Sequence, residues 1–150
     1  MTPSSVTPVD DVTPDQAWDT LASTPGTLLV DVRTAAEWSF VGTPDLSSAG
    51  KDVILIEWAM LPGMQRNPEF EAGLMAHLSD GSAPSEIYFL CRSGVRSLAA
   101  ADAAAQAFAK LGKPIRCINV AEGFEGDLND ERHRGQRNGW KARGLPWRQS

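Results

Sequence analysis

The sequence predicts an α/β fold built on a mostly parallel β-sheet. Three short apolar runs have the length of single strands and lack the alternation of a half-exposed strand, which is typical of strands buried on both faces. Segments with helical features alternate with the strands, as expected of strand–helix–strand units. The apolar runs cover residues 28–32, 53–56 and 87–90, and a fourth strand is predicted over 115–120.

Four helices are predicted before and between these strands. Two begin with a capping box, in which the N-cap side chain and the side chain three residues later bond each other's backbone N–H. A third has apolar residues at a spacing of four, and a fourth is rich in alanine, the strongest helix former. The capping boxes are Thr13 with Gln16 and Thr34 with Glu37, the third helix starts near 67–69, and the fourth covers 97–110.

Length and composition are those of an ordinary globular protein with one domain. The chain has 150 residues, of which 42% are hydrophobic, and a chain of this size buries roughly 70% of its unfolded surface. Residues 1–12 are rich in Thr, Ser, Pro and Asp and lack apolar periodicity. We therefore expect a flexible lead-in over 1–12 and a single domain over 13–150.

Several classes of protein are excluded at this stage. No apolar run approaches the ~20 residues that span a bilayer, and the N-terminus has no secretory pattern, so we expect a cytoplasmic protein without membrane association. Two cysteines and two histidines are too few for a disulfide framework or a His-rich metal cluster. We therefore expect neither a metal nor another cofactor.

Charge is distributed unevenly along the chain, whose net charge is -5. Residues 1–90 hold 13 acidic and 3 basic side chains, a balance of -10, whereas residues 91–150 hold 6 acidic and 11 basic ones, a balance of +5. The basic residues do not form a known nucleic-acid motif with aromatic residues. We expect an anion site or a solvated basic face, and no nucleic-acid partner.

The segment 91–97, Cys-Arg-Ser-Gly-Val-Arg-Ser, carries the candidate chemistry because it joins a buried strand to a helix. Ligands of open α/β sheets bind at such junctions, where loop amides and the helix N-terminus form a cradle for an anion. Those donors, with Arg92 and Arg96, would stabilise a thiolate on Cys91, which indicates a nucleophile. Gly94 suits a positive φ or a close approach of backbone to ligand.

The second cysteine, Cys117, lies in a predicted strand between Arg116 and Ile118, without a glycine-containing loop. This context predicts a core thiol. A Cys91–Cys117 redox pair is the alternative.

The loop resembles that of single-domain rhodaneses, which are thiosulfate sulfurtransferase-like proteins. The Cys-Arg-Ser-Gly-Val-Arg sequence is the more specific part, and Leu-Val-Asp-Val-Arg at 29–33, with Glu37 four residues later, supports it by position. The resemblance covers residues 14–146. It implies a central mostly parallel sheet flanked by helices on both faces, a persulfide on the loop cysteine, and loop amides that hold the sulfur.

The resemblance also assigns site residues. Cys91 matches the catalytic nucleophile, and Asp31 and Arg33 are either supports from the neighbouring strand end or a structural ion pair. Arg96 would organise the loop, and Arg92, nearer the mouth, would attract an anionic donor. The substrate-binding cradle consists of Arg92, Ser93, Gly94, Val95 and Arg96.

Two features depart from the family pattern. Most members have a Gly-His-Ile-Pro-like turn after the first helix, whereas this chain has Gly-Thr-Pro at 42–44, so no histidine acts there. Near the C-terminus an insertion around 125–138 separates Gly123-Phe124 from Gly139-Trp140. Its basic residues either shape substrate choice or form a solvated surface loop.

The predicted function is transfer of a sulfane sulfur through a persulfide on Cys91. The donor is a small anion such as thiosulfate, and the acceptor is cyanide in an assay, or a cellular thiol or sulfur-accepting protein. A cysteine-dependent phosphatase or arsenate reductase is a weaker alternative, since the phosphatase loop has five residues between cysteine and arginine and this loop has four. Another alternative is a persulfide carrier that docks a partner through exposed tryptophans, for which the candidates are Trp38, Trp58, Trp140 and Trp147.

Overall fold

A computed structural model describes residues 8–78 and 84–149. Within these ranges, five parallel strands form the central sheet in the order β1-β8-β7-β2-β4. Two small antiparallel pairs, β3 with β9 and β5 with β6, lie outside this sheet. The strands are β1 Asp10–Val12, β2 Thr27–Asp31, β3 Thr43–Pro44, β4 Ile54–Leu55, β5 Ala59–Met60, β6 Gln65–Arg66, β7 Glu86–Leu90, β8 Arg116–Val120 and β9 Trp147–Arg148.

The helices follow the predicted pattern, and both capping boxes are present. At the first, the Gln16 N–H donates to Thr13 Oγ1 over 3.3 Å, and the Thr13 N–H donates to Gln16 Oε1 over 3.0 Å. Each box satisfies two backbone N–H groups that the helix itself leaves without partners. The helices are α1 Pro14–Ser23, α2 Ala35–Val41, α3 Phe70–His77 and α4 Val95–Lys110.

Side chains of the central strand β7 alternate between two apolar cores. Ile87 and Phe89 face a core that includes residues of α3 and α4. Tyr88 and Leu90 face a second core, which α1 and the segment after β8 complete. The central parallel sheet is thus flanked by helices on both faces, and the predicted fold class is confirmed.

The predicted start of the fold is wrong by a few residues. Asp10–Val12 forms the edge strand β1, which pairs in parallel with β8, although this segment was assigned to the flexible lead-in. Two aspartates and a valine are too short and too polar to show the periodicity of a strand, and this segment becomes a strand through its pairing with β8. Residues 1–7 of the predicted lead-in lie outside the described residues.

Two further predictions concern the stretch 125–138 and the absence of a membrane-spanning helix. The stretch 125–138 contains neither a helix nor a strand, and its assignment as an insertion stays a prediction, as does the assignment of the chain to a single domain. Among the described residues, no helix combines the length and apolar character that a membrane crossing requires.

Lys51 connects the end of α1 to the start of β2. Its Nζ donates to the Leu21 carbonyl and to Thr27 Oγ1, each over 2.7 Å, and to the Thr24 carbonyl over 3.0 Å. We expect Lys51→Met to lower the free energy of unfolding by about 1–3 kcal/mol, because it removes a charged donor from partly buried acceptors. Urea denaturation measures this change. Lys113→Met, at an exposed lysine, is the control, and an equal loss in both variants would contradict the prediction.

Candidate active site

Cys91 directly follows β7, and its sulfur lies at the base of a short loop that leads into α4. Sγ accepts the Gly94 N–H over 3.1 Å and lies 3.2 Å from the Ser97 hydroxyl oxygen. The cysteine is 1% exposed. The parallel sheet therefore carries the sulfur at the carboxyl end of its central strand, where α/β proteins bind ligands.

The carbonyl groups of the loop are bound from outside. The Phe124 N–H donates to the Cys91 carbonyl over 2.7 Å, and the N–H groups of Glu125 and Gly126 both donate to the Arg92 carbonyl over 3.0 Å. The first N–H groups of α4 have no partners within the helix and add its positive dipole end. The Cys91 and Arg92 carbonyls are thus bound by the segment after β8, while the Gly94 N–H of the loop contacts the sulfur.

Two glycines make this geometry accessible. Gly94 precedes α4 with φ 109°, in the region that favours glycine. Gly123 also has a positive φ, and a Cβ there would lie 2.6 Å from the Arg92 carbonyl oxygen and would overlap the Cys91 carbonyl. The segment after β8 therefore approaches the cysteine loop closely because residue 123 has no side chain.

Arg96 is held by Glu37 of α2 in a two-pronged ion pair. Nη1 donates to Oε1 over 2.7 Å and Nη2 donates to Oε2 over 2.9 Å. Glu37 Oε1 also accepts the Thr34 N–H of the capping box. Burial raises the pKa of Glu37, but hydrogen bonds from Arg96 and Thr34 and the charge of Arg96 outweigh burial and lower the pKa to about 2. One carboxylate thus caps α2 and fixes the arginine.

The remaining loop residues differ in exposure. Arg92 is exposed and Ser93 is half-buried, while Val95, the first residue of α4, is 77% exposed. The structure therefore brings the predicted loop residues to one place. Their roles in binding a substrate stay predictions.

Asp31 and Arg33 form a fully buried ion pair, in which Arg33 Nη2 lies 2.7 Å from Asp31 Oδ2. Arg33 also donates to the Gly42 carbonyl over 2.6 Å, and its guanidinium lies 4.3 Å from the centre of the Phe124 ring. Phe124 in turn binds the Cys91 carbonyl. The pair is therefore a structural ion pair that contacts the loop through Phe124 and not through the sulfur. It agrees with the structural interpretation, and a supporting role for the site stays a prediction.

Cys117 of β8 lies opposite Ile87 of β7. Ile87 in turn precedes Cys91 by four residues. At ~3.3 Å per strand residue, the two cysteines are separated by roughly 13 Å, too far for a disulfide, which needs Cα atoms within about 7 Å. Burial raises the pKa of the Cys117 thiol to about 12. The geometry supports the core-thiol prediction and excludes a direct Cys91–Cys117 bond.

Sequence reasoning assigned no site role to Ser97, the last residue of the 91–97 segment, and it missed Asn119, which contacts Ser97. Ser97 of α4 is fully buried and contacts both Cys91 Sγ and Asn119 of β8. The available signal was the polar Asn119 between Ile118 and Val120, because a polar side chain in a buried strand requires a partner.

Of the four tryptophans predicted as docking anchors, Trp140 is excluded by burial, whereas Trp38 and Trp58 are half-buried and Trp147 is exposed, so a docking role for these three stays a prediction. Trp140 is fully buried, and its indole N–H donates to the Pro146 carbonyl over 2.7 Å. Trp58 packs edge-on against Phe70, with ring centres 5.1 Å apart. Trp147 is 37% exposed. Trp140 was wrongly assigned because core packing and docking both use large aromatic side chains.

No family model matches the chain. It is 37% identical over 139 residues to the uncharacterized protein RC0915 of Rickettsia conorii, covering 93% of this chain and 97% of that protein. The crystal structure of Rv0390 from M. tuberculosis is 45% identical, with a TM-score of 0.79 over 96% of this chain and 100% of that one. The polysulfide-sulfur transferase homodimer of Wolinella succinogenes shares the fold, with a TM-score of 0.52 and 16% identity over 95% of this chain and 80% of that one.

The chain has a rhodanese-like fold. The turn at 42–44, which differs from the rhodanese pattern, has a structural role. Thr43–Pro44 pairs with β9, and the Gly42 carbonyl accepts a hydrogen bond from Arg33. A Cβ on Gly42 would lie 2.6 Å from the Arg148 carbonyl oxygen. The turn therefore ties the C-terminal strand to the buried ion pair.

Glu37 provides a test of how the rhodanese-like loop is held. Its pKa is lowered from 4.5 to about 2 by folding, so its stabilising contribution is complete above pH 4.5 and is lost as pH falls through 2. We expect Glu37→Gln to lower the free energy of unfolding by about 1–3 kcal/mol at pH 7. The difference from wild type should shrink between pH 4.5 and 2. Urea denaturation across this range checks it, with the exposed Glu69→Gln as control, and a difference that is constant with pH would contradict it.

Proposed function

We propose that this protein is a sulfurtransferase that moves a sulfane sulfur from a small anionic donor such as thiosulfate to a thiophilic acceptor, through a persulfide on Cys91. The observation that supports this proposal is the environment of the sulfur. Cys91 Sγ accepts a backbone N–H at the start of a 16-residue helix and lies beside a buried hydroxyl. The backbone N–H and the helix N-terminus favour a thiolate nucleophile and an adjacent anion.

The proposed reaction is a double displacement. The Cys91 thiolate attacks the outer sulfur of thiosulfate, a bond forms between the two sulfur atoms, and the bond to the central sulfur breaks, so that sulfite leaves with the electron pair. The acceptor, cyanide or a thiolate, then attacks the outer sulfur of the persulfide. The bond to Cys91 Sγ breaks, and its electron pair returns to the cysteine as thiolate.

Loop size and the state of Arg96 favour sulfur over phosphoryl transfer. Four residues separate Cys91 from Arg96, one fewer than in the phosphatase loop. Both terminal nitrogens of Arg96 are already bound to Glu37, so this arginine orders the loop. Arg92, exposed on the same loop, is the arginine that we assign to attraction of the anionic donor.

The mouth of the site also favours a thiol or a protein as acceptor. Val95 lies four residues after Cys91 and exposes 77% of its surface. An exposed valine on the same loop as exposed, basic Arg92 offers both an apolar contact and a positive charge, which suits an organic thiol better than a small inorganic ion.

Intact mass measured after incubation with thiosulfate tests the proposed function. We expect wild type to gain about 32 Da, one sulfur atom held as a persulfide, and to lose it when cyanide is added. Cys91→Ser should show no gain, and Cys117→Ser should behave as wild type because burial raises the pKa of the Cys117 thiol to about 12 and keeps it protonated. Absence of the gain in wild type, or its retention in Cys91→Ser, would overturn the assignment.

Arg92→Ala tests the role of the exposed arginine in the same reaction. We expect KM for thiosulfate to rise about tenfold with a smaller change in kcat, because the lost charge attracts the donor and does not contact the sulfur bond. The effect should diminish as salt screens the charge. Lys110→Ala removes a basic side chain at the far end of α4 and should leave KM unchanged. Equal effects of both substitutions would show that only net charge matters.

A further inference from the structure

The Ser97 hydroxyl lies between two groups that can accept its proton. Its oxygen is 3.2 Å from Cys91 Sγ and 2.5 Å from Asn119 Oδ1. Ser97 is fully buried and Asn119 is 3% exposed. A hydroxyl carries one proton, so Ser97 can donate to the sulfur or to the amide oxygen, but not to both.

The orientation of the Asn119 amide follows from its other neighbours. Its Nδ2 lies 2.9 Å from Asp11 Oδ1 and 3.2 Å from the Gly94 carbonyl oxygen. A carboxylate and a carbonyl only accept hydrogen bonds, so the amide nitrogen must face them and the amide oxygen must face Ser97. Asn119 is thereby set as an acceptor for the Ser97 proton.

Every polar group in this cluster is satisfied when Cys91 is a thiol. The S–H group donates to Ser97 Oγ, and the Ser97 hydroxyl donates to Asn119 Oδ1. A thiolate instead requires donors, and the Ser97 hydroxyl must turn from Asn119 to the sulfur to supply one. The buried amide oxygen then loses its partner, which is unfavourable.

We propose that Asn119 is a positioning residue that competes with the Cys91 sulfur for the single proton of Ser97 and so favours the resting thiol over the thiolate. The significance of this competition rests on the proposed function, in which the thiolate is the attacking group of the first step and the leaving group of the second. Asn119 thus sets how readily the sulfur becomes reactive, without touching the substrate.

Charged groups lie on the cysteine loop and on several of the elements packed around it. Carboxylic acids and guanidinium groups ordinarily titrate well outside the range of a thiol, so they supply a constant background while the thiol ionises. These groups are Arg92 of the loop, Arg96 of α4, Glu37 of α2, Asp31 at the end of β2, Arg33 after β2, and Asp11 of β1.

A double-mutant cycle isolates the competition. The readout is the pH profile of Cys91 alkylation by iodoacetamide, with the modified peptide identified by mass. With Ser97 present, we expect Asn119→Ala to move the profile to lower pH by about one unit, the tenfold change that one hydrogen bond to a charged group contributes. In the Ser97→Ala background, the same substitution should produce no such shift, because the contested proton is gone.

Two results would overturn the inference. Equal shifts in both backgrounds would show that Asn119 and Ser97 act independently, and a shift to higher pH in both would show that Asn119 only holds the Gly94 carbonyl. Circular dichroism verifies folding, and Asn119→Val, which fills more of the space, replaces Asn119→Ala if that variant is unfolded. Gln106→Ala, at an exposed amide of α4, is the control.

The cycle is independent of sulfur transfer. If thiosulfate adds no mass to wild type while the two substitutions are coupled, the proposed function fails and the competition stands. If the mass gain occurs while the substitutions are additive, the proposed function stands and the competition fails.

Discussion

The site depends on keeping the carbonyl groups of the cysteine loop turned away from the sulfur. A short loop exposes both donors and acceptors, and an acceptor beside an anion is repulsive, so each carbonyl needs a partner elsewhere. The segment after β8 provides those partners, since the N–H groups of residues 124–126 bind the carbonyls of Cys91 and Arg92. This contact is close enough to exclude a side chain at Gly123. The backbone of the segment after β8 therefore sets the orientation of the cysteine loop at the end of β7.

Charge around the site is arranged in two layers. The inner arginines are compensated, Arg33 by Asp31 and Arg96 by Glu37, and both pairs serve to hold backbone in place. Uncompensated buried charge would be costly, which explains why each inner arginine has a carboxylate nearby. Arg92 lies outside this arrangement, on the exposed rim. The acidic protein thus presents a positive group where an anionic donor would approach.

Much of this could be predicted from local sequence signals. Apolar runs, capping boxes and the strand-to-helix loop located β2, β7, α1, α2 and α4, because these elements are set by patterns within a few residues of each other. The edge strand at Asp10–Val12 escaped prediction because only its pairing with β8 defines it. The same holds for the partners of the sulfur. Asn119 is 28 residues from Cys91 in the chain, and only the parallel neighbouring of β7 and β8 brings it beside Ser97.

The depth of the sulfur has a consequence for recognition between proteins. Cys91 is 1% exposed, so a reactive group presented on a flat surface would meet the rim of the loop before it met sulfur. The depth of the sulfur limits a small anion less than it limits a protein surface. A cysteine of another protein must be carried on a protruding tip or a flexible tail to reach the same atom. Under the proposed function, a protein acceptor is therefore selected first by whether its cysteine can reach Cys91, and only then by the reactivity of its thiol.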